Sequence, residues 1–213
     1  MILITTSIDN KFELDDDIIL LGDWCKGHSI LSKFPQYIKK TSSYHWEDRE
    51  VFFNDSCKVI EIYEKLLPEY SKALNNLHNV NYSIRFWRII IGPWLLLFIG
   101  ALFDRWSSIL NAQRHENFDW VALSIINEND KVIVDMLDFY NKSAEDSWNN
   151  NIFSEIIKNW TKLNYKELPL INKKLEKKSV NLKTKLKALF YKIMHKLSIF
   201  SLKNEIIFID SYI

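Results

Sequence analysis

The sequence is poor in glycine, with 4 glycines among 213 residues. Neither G-x-G-x-x-G nor G-x-x-x-x-G-K-[ST] occurs, and G-x-S-x-G and H-E-x-x-H do not occur either. Glycine-rich loops let a protein backbone approach phosphate groups closely. The sequence therefore gives no support for a self-contained nucleotide site, a hydrolase triad or a zinc site.

Cysteine is also scarce. The sequence contains Cys25 and Cys57 alone, and two such widely spaced cysteines do not form a metal-binding signature. The chain opens with MILITTSIDN, which lacks the basic segment and apolar stretch of a secretory signal peptide. Both features predict a reduced, cytoplasmic setting.

The chain has little excess charge, since 28 basic residues face 27 acidic ones. Such a balance gives no general attraction to nucleic acid, and we expect no nucleic-acid partner. The chain is 47% hydrophobic and 14% aromatic, which is ample for one substantial core and excludes a disordered chain.

The apolar run at residues 89–103 is too short for a standard transmembrane helix. It has 15 residues between Arg88 and Asp104, whereas crossing a bilayer takes roughly 20. Gly92-Pro93 also interrupts it. The run predicts a buried core helix, with membrane contact as the alternative.

Short β-branched runs predict buried strands at Met1–Thr6 and Ile18–Leu21, with Asp119–Ile126 and Lys131–Val134 as further candidates. Asp23 follows the second run. Ligands of open α/β sheets bind beyond the carboxyl ends of the strands. The sequence thus predicts a helix-rich α/β fold with a small, mostly parallel sheet.

Helical periodicity extends from Glu47 to about Leu77, and Pro68 is expected to kink or divide that helix. Residues 81–110 predict two helical pieces broken at Gly92-Pro93, the second of them buried on most sides. Asp146–Trp160 predicts a further helix.

The composition changes after residue 165. Lysine and leucine alternate over residues 166–203, which predicts a basic amphipathic helix that connects domains or lies on an anionic membrane face. Glu205–Ile209 predicts a buried strand, and parallel strands normally continue into a further element. We therefore expect an amino-terminal α/β domain at 1–165, a lysine-rich connector at 166–203, and the start of a further, cut-off domain at 204–213.

The densest chemistry lies at residues 45–50, HWEDRE. A histidine beside carboxylates and a guanidinium, just before a helix, can act as a general base or help bind an anion. The alternative is an N-terminal cap with solvated charges. Asp23 could orient a hydroxyl group or simply make a turn.

Charged residues close the two ends of the apolar helical region. Guanidinium groups present paired donors to phosphate and carboxylate, so these residues could clamp a substrate or could form ion pairs with one another. They are Arg85, Arg88, Asp104 and Arg105.

Several short motifs follow one another in a fixed order along the chain. They are Gly22-Asp23-Trp24-Cys25, Tyr44-His45-Trp46-Glu47-Asp48-Arg49, Leu66-Leu67-Pro68-Glu69, Arg85 to Leu95, Phe103-Asp104-Arg105-Trp106 and, more weakly, Asp146-Ser147-Trp148-Asn149. Together these motifs resemble one family, the transferases encoded in bacterial O-antigen and other surface-polysaccharide gene clusters. The resemblance covers residues 1 to about 160.

The resemblance implies a glycosyltransferase-like enzyme, of which this chain is the amino-terminal half, with a Rossmann-like domain. The activated sugar donor would bind a missing second domain, so no cofactor is expected in this chain. A sugar or lipid-linked saccharide acceptor would bind here, in the cytoplasm or at the inner membrane. We predict His45 and Asp23 as catalytic residues, no metal ligands, and as substrate-binding residues Asp48, Arg49, Arg85, Arg88, Asp104 and Arg105.

The alternative is a non-catalytic interaction or scaffold module, or a degenerate, truncated relative. The enzyme hypothesis predicts that His45, Asp23 and Arg88 converge on one cleft at the carboxyl ends of the strands. The alternative predicts that they lie apart or form internal ion pairs.

Overall fold

The computed structural model describes residues 1–8, 17–27, 35–125, 133 and 135–170. These residues all lie within one compact unit, Met1–Ile171. Most of the strand predicted at Lys131–Val134, most of the lysine-rich connector and the strand predicted at Glu205–Ile209 lie outside the described residues.

Five strands of the described residues form one parallel sheet. They are β1 (Ile2–Ile4), β2 (Ile18–Leu20), β3 (Ile38–Thr41), β4 (Trp120–Ser124) and β5 (Tyr165–Leu168), in the spatial order β3-β2-β1-β4-β5. This order is that of a Rossmann-like fold, in which the winding reverses between β1 and β4. The predicted fold class is confirmed.

The sheet is apolar at its centre and charged at its edges. All residues of β1 and β2 are buried, as expected for strands covered on both faces. Exposed lysines at positions 39, 40 and 166 lie on β3 and β5, where charge discourages pairing with another chain.

β5 occupies residues that we expected to begin the lysine-rich helical connector. Backbone hydrogen bonds hold it to β4, from Val121 N–H to the Asn164 carbonyl at 2.9 Å and from Ile125 N–H to the Leu168 carbonyl at 3.1 Å. Lys166 Nζ also lies 4.3 Å from the centre of the Trp120 ring. Pairing with β4 thus overrides the lysine-rich local composition.

Five α-helices accompany the sheet in the described residues. Short 3-10 turns at Asp23–Gly27, Pro35–Tyr37 and His45–Glu47 follow or precede strands. The α-helices are α1 (Arg49–His78), α2 (Ile84–Ile90), α3 (Gly92–His115), α4 (Met136–Ser143) and α5 (Asp146–Trp160).

Helix α1 begins at Arg49 because the Asp48 carboxylate caps it, accepting from the N–H groups of Glu50 at 2.8 Å and Val51 at 3.4 Å. It ends at Asn79, whose backbone is left-handed with φ 53°.

The predicted division of this helix at Pro68 is wrong, because α1 continues through it. Leu67, fully buried beside the proline, packs with Tyr63 and with Leu95 of α3. This packing on α3 stabilises the helix on both sides of the missing hydrogen bond. The break at Gly92-Pro93 is confirmed, since α2 ends at Ile90 and α3 starts at Gly92 with the proline in its first turn.

Helix α3 is buried at one end and open at the other. Ile109 and Ala112 are fully buried in the core of the sheet, whereas Leu97 is 52% exposed. By length and composition this 24-residue helix could cross a membrane, and 28% of its most apolar segment is buried in the protein. The prediction that it is buried on most sides is therefore wrong for its first half.

Two separate clusters of buried apolar residues result. The sheet core joins β1, β2 and β4 to Ile109 of α3 and to Phe153 and Ile157 of α5. The second cluster contains Val59, Tyr63, Leu67, Leu95 and Ile99. We call residues 59–99, which surround this second cluster, the helical arm.

Candidate functional site

The loop after β2 places Asp23 beyond the carboxyl end of the strand, as predicted. Trp24 Nε1–H donates to the carbonyl of Thr5, after β1, at 2.9 Å. The indole folds back over Gly22, where a Cβ atom would lie 2.3 Å from the ring. Gly22 is therefore needed for this close approach, while the exposed Asp23 carboxylate forms an ion pair with Lys26 at 2.6 Å.

The loop after β3 carries Tyr44 to the same edge of the sheet. The N–H of Ser42 donates to the carbonyl of Leu20 at 2.8 Å, which ties the loop to β2. Tyr44 Oη–H then donates to Asp104 Oδ1 of α3 at 2.6 Å. Between these loops lies a cavity of about 530 Å³, the edge cavity, whose lining includes Asp23, Trp24, Ser42, Tyr44, Glu47 and Asp104.

Asp104 and Arg105 form the centre of a network between α3, α4 and α5. Arg105 Nη1 donates to Asp104 Oδ2 at 2.7 Å and Nε donates to Asn149 Oδ1 at 2.9 Å. Its Nη2 donates to the Ser143 carbonyl at 3.1 Å. Both carboxylate oxygens of Asp104 thus have a donor, and burial together with Asp104 raises the pKa of Tyr44.

His45 lies next to this network, with a side chain that is 6% exposed. Its Nδ1 is 3.5 Å from Ser108 Oγ, and its Nε2 is 3.7 Å from Asp104 Oδ1. The buried Nε2 has no hydrogen-bond partner among the described residues. Burial lowers the pKa of His45 although the carboxylates of Asp104 and Asp55 act to raise it. The imidazole is therefore neutral at pH 7 and can accept a proton.

A second polar cavity lies beside His45, between α1 and α3. Asp55 accepts from Trp46 Nε1–H at 3.1 Å and from Lys58 Nζ at 2.9 Å. Burial acts to raise the pKa of Asp55, but these hydrogen bonds lower it below its ordinary value. This cavity, the α1–α3 cavity, has a volume of about 460 Å³ and is lined in part by His45, Asp55, Lys58, Asn111 and Arg114.

The switch point between β1 and β4 is closed by α5. Ser7 donates from its N–H to Asp146 Oδ1 at 3.2 Å and from its hydroxyl to Asp146 Oδ2. Asn150 makes two hydrogen bonds with the backbone of Ser124, at 3.0 and 2.9 Å. These polar groups satisfy one another, so the usual ligand position of a Rossmann-like fold is occupied by side chains of α5.

The predicted site residues are brought together in part. Asp23 and Asp104 line the edge cavity, Arg105 holds Asp104, and His45 faces Asp104. Asp48 caps the N-terminus of α1, as the alternative interpretation of residues 45–50 predicted. Arg49 is the exposed first residue of that helix.

Arg88 does not join this group, so the predicted convergence of His45, Asp23 and Arg88 on one cleft is wrong. Its guanidinium forms a bidentate ion pair with Glu64 at 2.6 and 2.7 Å and lies 5.5 Å from the centre of the Tyr63 ring. Arg85 is exposed on the same helix, α2. The reason is that α2 packs on the far half of α1, in the helical arm.

The sequence did not single out Ser7, Ser108 or Asn150, and it marked Asp146 and Asn149 only as part of the weaker Asp146-Ser147-Trp148-Asn149 motif, without a role for either side chain. Each contacts a residue distant in the sequence, such as Arg105 with Asn149, so no local pattern marks the contact. A signal was present for Asp146, an acidic residue in the first turn of a predicted helix.

Among the described residues, no group of three or more His, Cys, Asp or Glu side chains could hold a metal ion. Cys25 is fully buried, and burial raises its pKa to about 12.

No curated protein and no solved structure matches the chain. A family model described as LIC12162 family transferase matches residues 1–213. The chain therefore belongs to the LIC12162 family of transferases.

Proposed function

We propose that this transferase acts in glycosyl transfer during the assembly of O-antigen or another bacterial surface polysaccharide, and that the described domain binds and activates the acceptor. The observation that carries this proposal is His45. It is a buried, neutral imidazole whose Nε2 has no hydrogen-bond partner among the described residues and which faces an aspartate at the carboxyl edge of a parallel sheet.

In the proposed reaction, His45 Nε2 removes the proton of an acceptor hydroxyl as its oxygen attacks the anomeric carbon of the activated sugar. A new carbon–oxygen bond forms, and the bond from that carbon to the leaving-group phosphate breaks. Asp104, 3.7 Å from Nε2, stabilises the imidazolium that results. Tyr44 and Arg105 hold the carboxylate in place.

Asp23 is proposed to help bind the acceptor. Asp23 lines the edge cavity beside Trp24, where a carboxylate and an indole suit hydroxyl groups and the apolar face of a sugar. The acceptor is proposed to be a sugar or lipid-linked saccharide. Because the sequence has no glycine-rich phosphate loop, we propose that the nucleotide-activated donor binds outside the described residues. The reaction is proposed to take place in the cytoplasm or at the inner membrane.

The test is replacement of the chromosomal gene by His45→Gln in cells that produce the protein. We expect surface-polysaccharide assembly to fail, and transfer of radiolabelled sugar in cell extracts to fall about 10²–10⁴-fold, because a general base is lost. His78→Gln is the matched control, because His78 is exposed at the end of α1. Equal transfer by His45→Gln and wild type, at equal protein level, would contradict the proposal.

A non-catalytic interaction module remains the second candidate, because Asp23 and Arg88 form ion pairs with Lys26 and Glu64 rather than facing a shared cleft. On this reading His45→Gln would leave sugar transfer unchanged, while deletion of the whole chain would abolish it. The same gene-replacement experiment therefore separates the two functions.

A further inference from the structure

A second cavity adjoins the α1–α3 cavity. It has a volume of about 500 Å³, shares Phe103 and Trp106 with the first, and is otherwise lined by residues farther along α1, by the preceding turns of α3, and by α5. We call this second space the apolar cavity.

The helix positions show that the two cavities follow one another along the same surface. On α1, positions 51, 55 and 58 line the α1–α3 cavity and positions 62 and 66 line the apolar cavity. Spacings of three and four residues place these five side chains on one face of the helix. Positions 99, 102, 103, 106, 110 and 114 follow the same rule on α3. The two cavities are therefore consecutive sections of one groove between α1 and α3.

The two sections differ in chemistry. Nine of the ten residues that line the apolar cavity are apolar, among them Ile62, Leu66, Ile99, Leu102 and Trp160. The exception, Glu155, accepts a hydrogen bond from Asn159. In the other section lie Arg114, the ion pair of Lys58 with Asp55, and the buried His45, whose Nε2 has no hydrogen-bond partner among the described residues. Arg114 is exposed and has no ion-pair partner among the described residues.

We propose that this groove binds an amphiphile, with an anionic head near Arg114 and Lys58 and a hydrocarbon chain along Leu66, Ile99 and Trp160. The guanidinium of Arg114 complements a phosphate, Lys58 adds donors beside it although its ammonium is also paired with Asp55 at 2.9 Å, and an apolar trough of this size suits a single chain. The inference deepens the proposed function and rests on it for one point, namely that the amphiphile is the lipid-linked acceptor.

The probe is decyl phosphate, used below its micellar concentration and titrated into the full chain by calorimetry, with native mass spectrometry to count bound molecules. Inorganic phosphate and decanol test the head and the chain separately. We expect one decyl phosphate per chain, bound at least tenfold more tightly than either half.

Two substitutions locate the ligand. Leu66→Gln is expected to weaken binding about tenfold, since it removes the contact of one aliphatic side chain with the hydrocarbon chain of the ligand. Its matched control is Leu77→Gln, at an exposed position of the same helix outside the groove. Arg114→Gln is expected to weaken decyl phosphate but not decanol, and Lys65→Gln is its control. Trp160→Gln, at a largely exposed position, replaces Leu66→Gln if that variant fails to fold.

Saturable 1:1 binding that Leu66→Gln or Trp160→Gln weakens, and the controls do not, would support the groove. Absence of binding, or binding that none of the groove variants alters, would overturn the inference. Binding to anionic phospholipid vesicles without binding to monomeric decyl phosphate would also overturn it, in favour of a membrane surface. The binding titration contains no sugar donor, so its result does not depend on catalysis. The transfer assay with His45→Gln therefore tests the proposed function alone, and the titration tests the groove alone.

Discussion

The sheet core and the helical arm are built from the same kinds of apolar residue but bury them to different extents. In the sheet core, every residue of β1 and β2 is at most 2% exposed. In the helical arm, Leu67 and Leu95 are similarly buried, yet Ile89 of α2 is 68% exposed and Leu97 of α3 is 52% exposed. The sheet is covered on both faces, whereas the arm is a layer of helices with one face open.

This difference separates two tasks. The sheet fixes the loops that carry Asp23, Tyr44 and His45, because Asp23 follows the buried strand β2 and the other two residues follow the edge strand β3, whose loop is tied to β2 by the hydrogen bond from Ser42 N–H to the Leu20 carbonyl. The arm has apolar surface that is not needed to close a core, and its residues Ile62, Leu66 and Ile99 line the apolar cavity together with later residues of α3 and with α5. Polar side chains thus gather at the edge of the sheet, whereas the arm contributes apolar surface.

The largest expected effect comes from Leu→Ala substitutions in the two clusters. Leu20→Ala in β2 should lower the free energy of unfolding by about 4 kcal/mol, because the surrounding strands cannot move into the cavity. Leu67→Ala in α1 should cost about 2 kcal/mol, since helices with an open face can shift to fill the space. Urea denaturation of both variants measures the difference, and equal costs would show that the arm is as rigid as the sheet.

The next effect tests how α5 closes the switch point. Asn150→Ala leaves the buried N–H and carbonyl of Ser124 without their side-chain partners, and should cost about 2–4 kcal/mol. The control is Asn159→Ala, on the same helix, which removes an exposed hydrogen bond to Glu155 and should cost less than about 0.5 kcal/mol. Equal values would mean that water replaces Asn150 at the sheet.

The three central strands of the sheet and the helices of the arm could be predicted from the sequence, whereas the edge strands β3 and β5 and the exposure of the arm could not. Met1–Thr6 and Ile18–Leu21 are short β-branched runs, and such runs are typical of buried parallel strands. The open half of α3 has the same apolar composition as a core helix. Its exposure depends on which other helices and strands pack against it, and the composition of α3 alone does not predict those contacts.

The candidate site was predictable where its residues follow strands, and unpredictable where the contact is distant in sequence. Asp23 was found because it lies just beyond a buried strand, and His45 because it stands beside carboxylates and a guanidinium just before a predicted helix. Arg88 resembled a substrate clamp in the sequence, but a carboxylate 24 residues earlier, Glu64, takes both of its donors. Local patterns identify a guanidinium and do not identify its partner.

A smaller effect should come from the pH dependence of stability. The pKa of His45 is lowered in the folded protein, so the unfolded chain binds more protons as the pH falls below the ordinary value of 6.5. The free energy of unfolding should therefore decrease from pH 6.5 downward, by at most about 1.4 kcal/mol per pH unit from this group, until the lowered pKa is passed. His45→Gln should remove this part of the slope below pH 6.5, while His78→Gln should retain it.

The smallest effect is expected at Arg88, and it sharpens the distinction between arm and sheet edge. The Arg88–Glu64 pair lies at the surface of the arm, where water screens the charges and two long side chains lose freedom to meet. Arg88→Gln should leave the urea midpoint within experimental error at 150 mM salt. Sugar transfer should also be unchanged, because neither the edge cavity nor the α1–α3 groove includes this side chain. If Arg88→Gln abolished sugar transfer without lowering the urea midpoint, Arg88 would contact the substrate after all. Helix α2 would then have to approach His45 during the reaction.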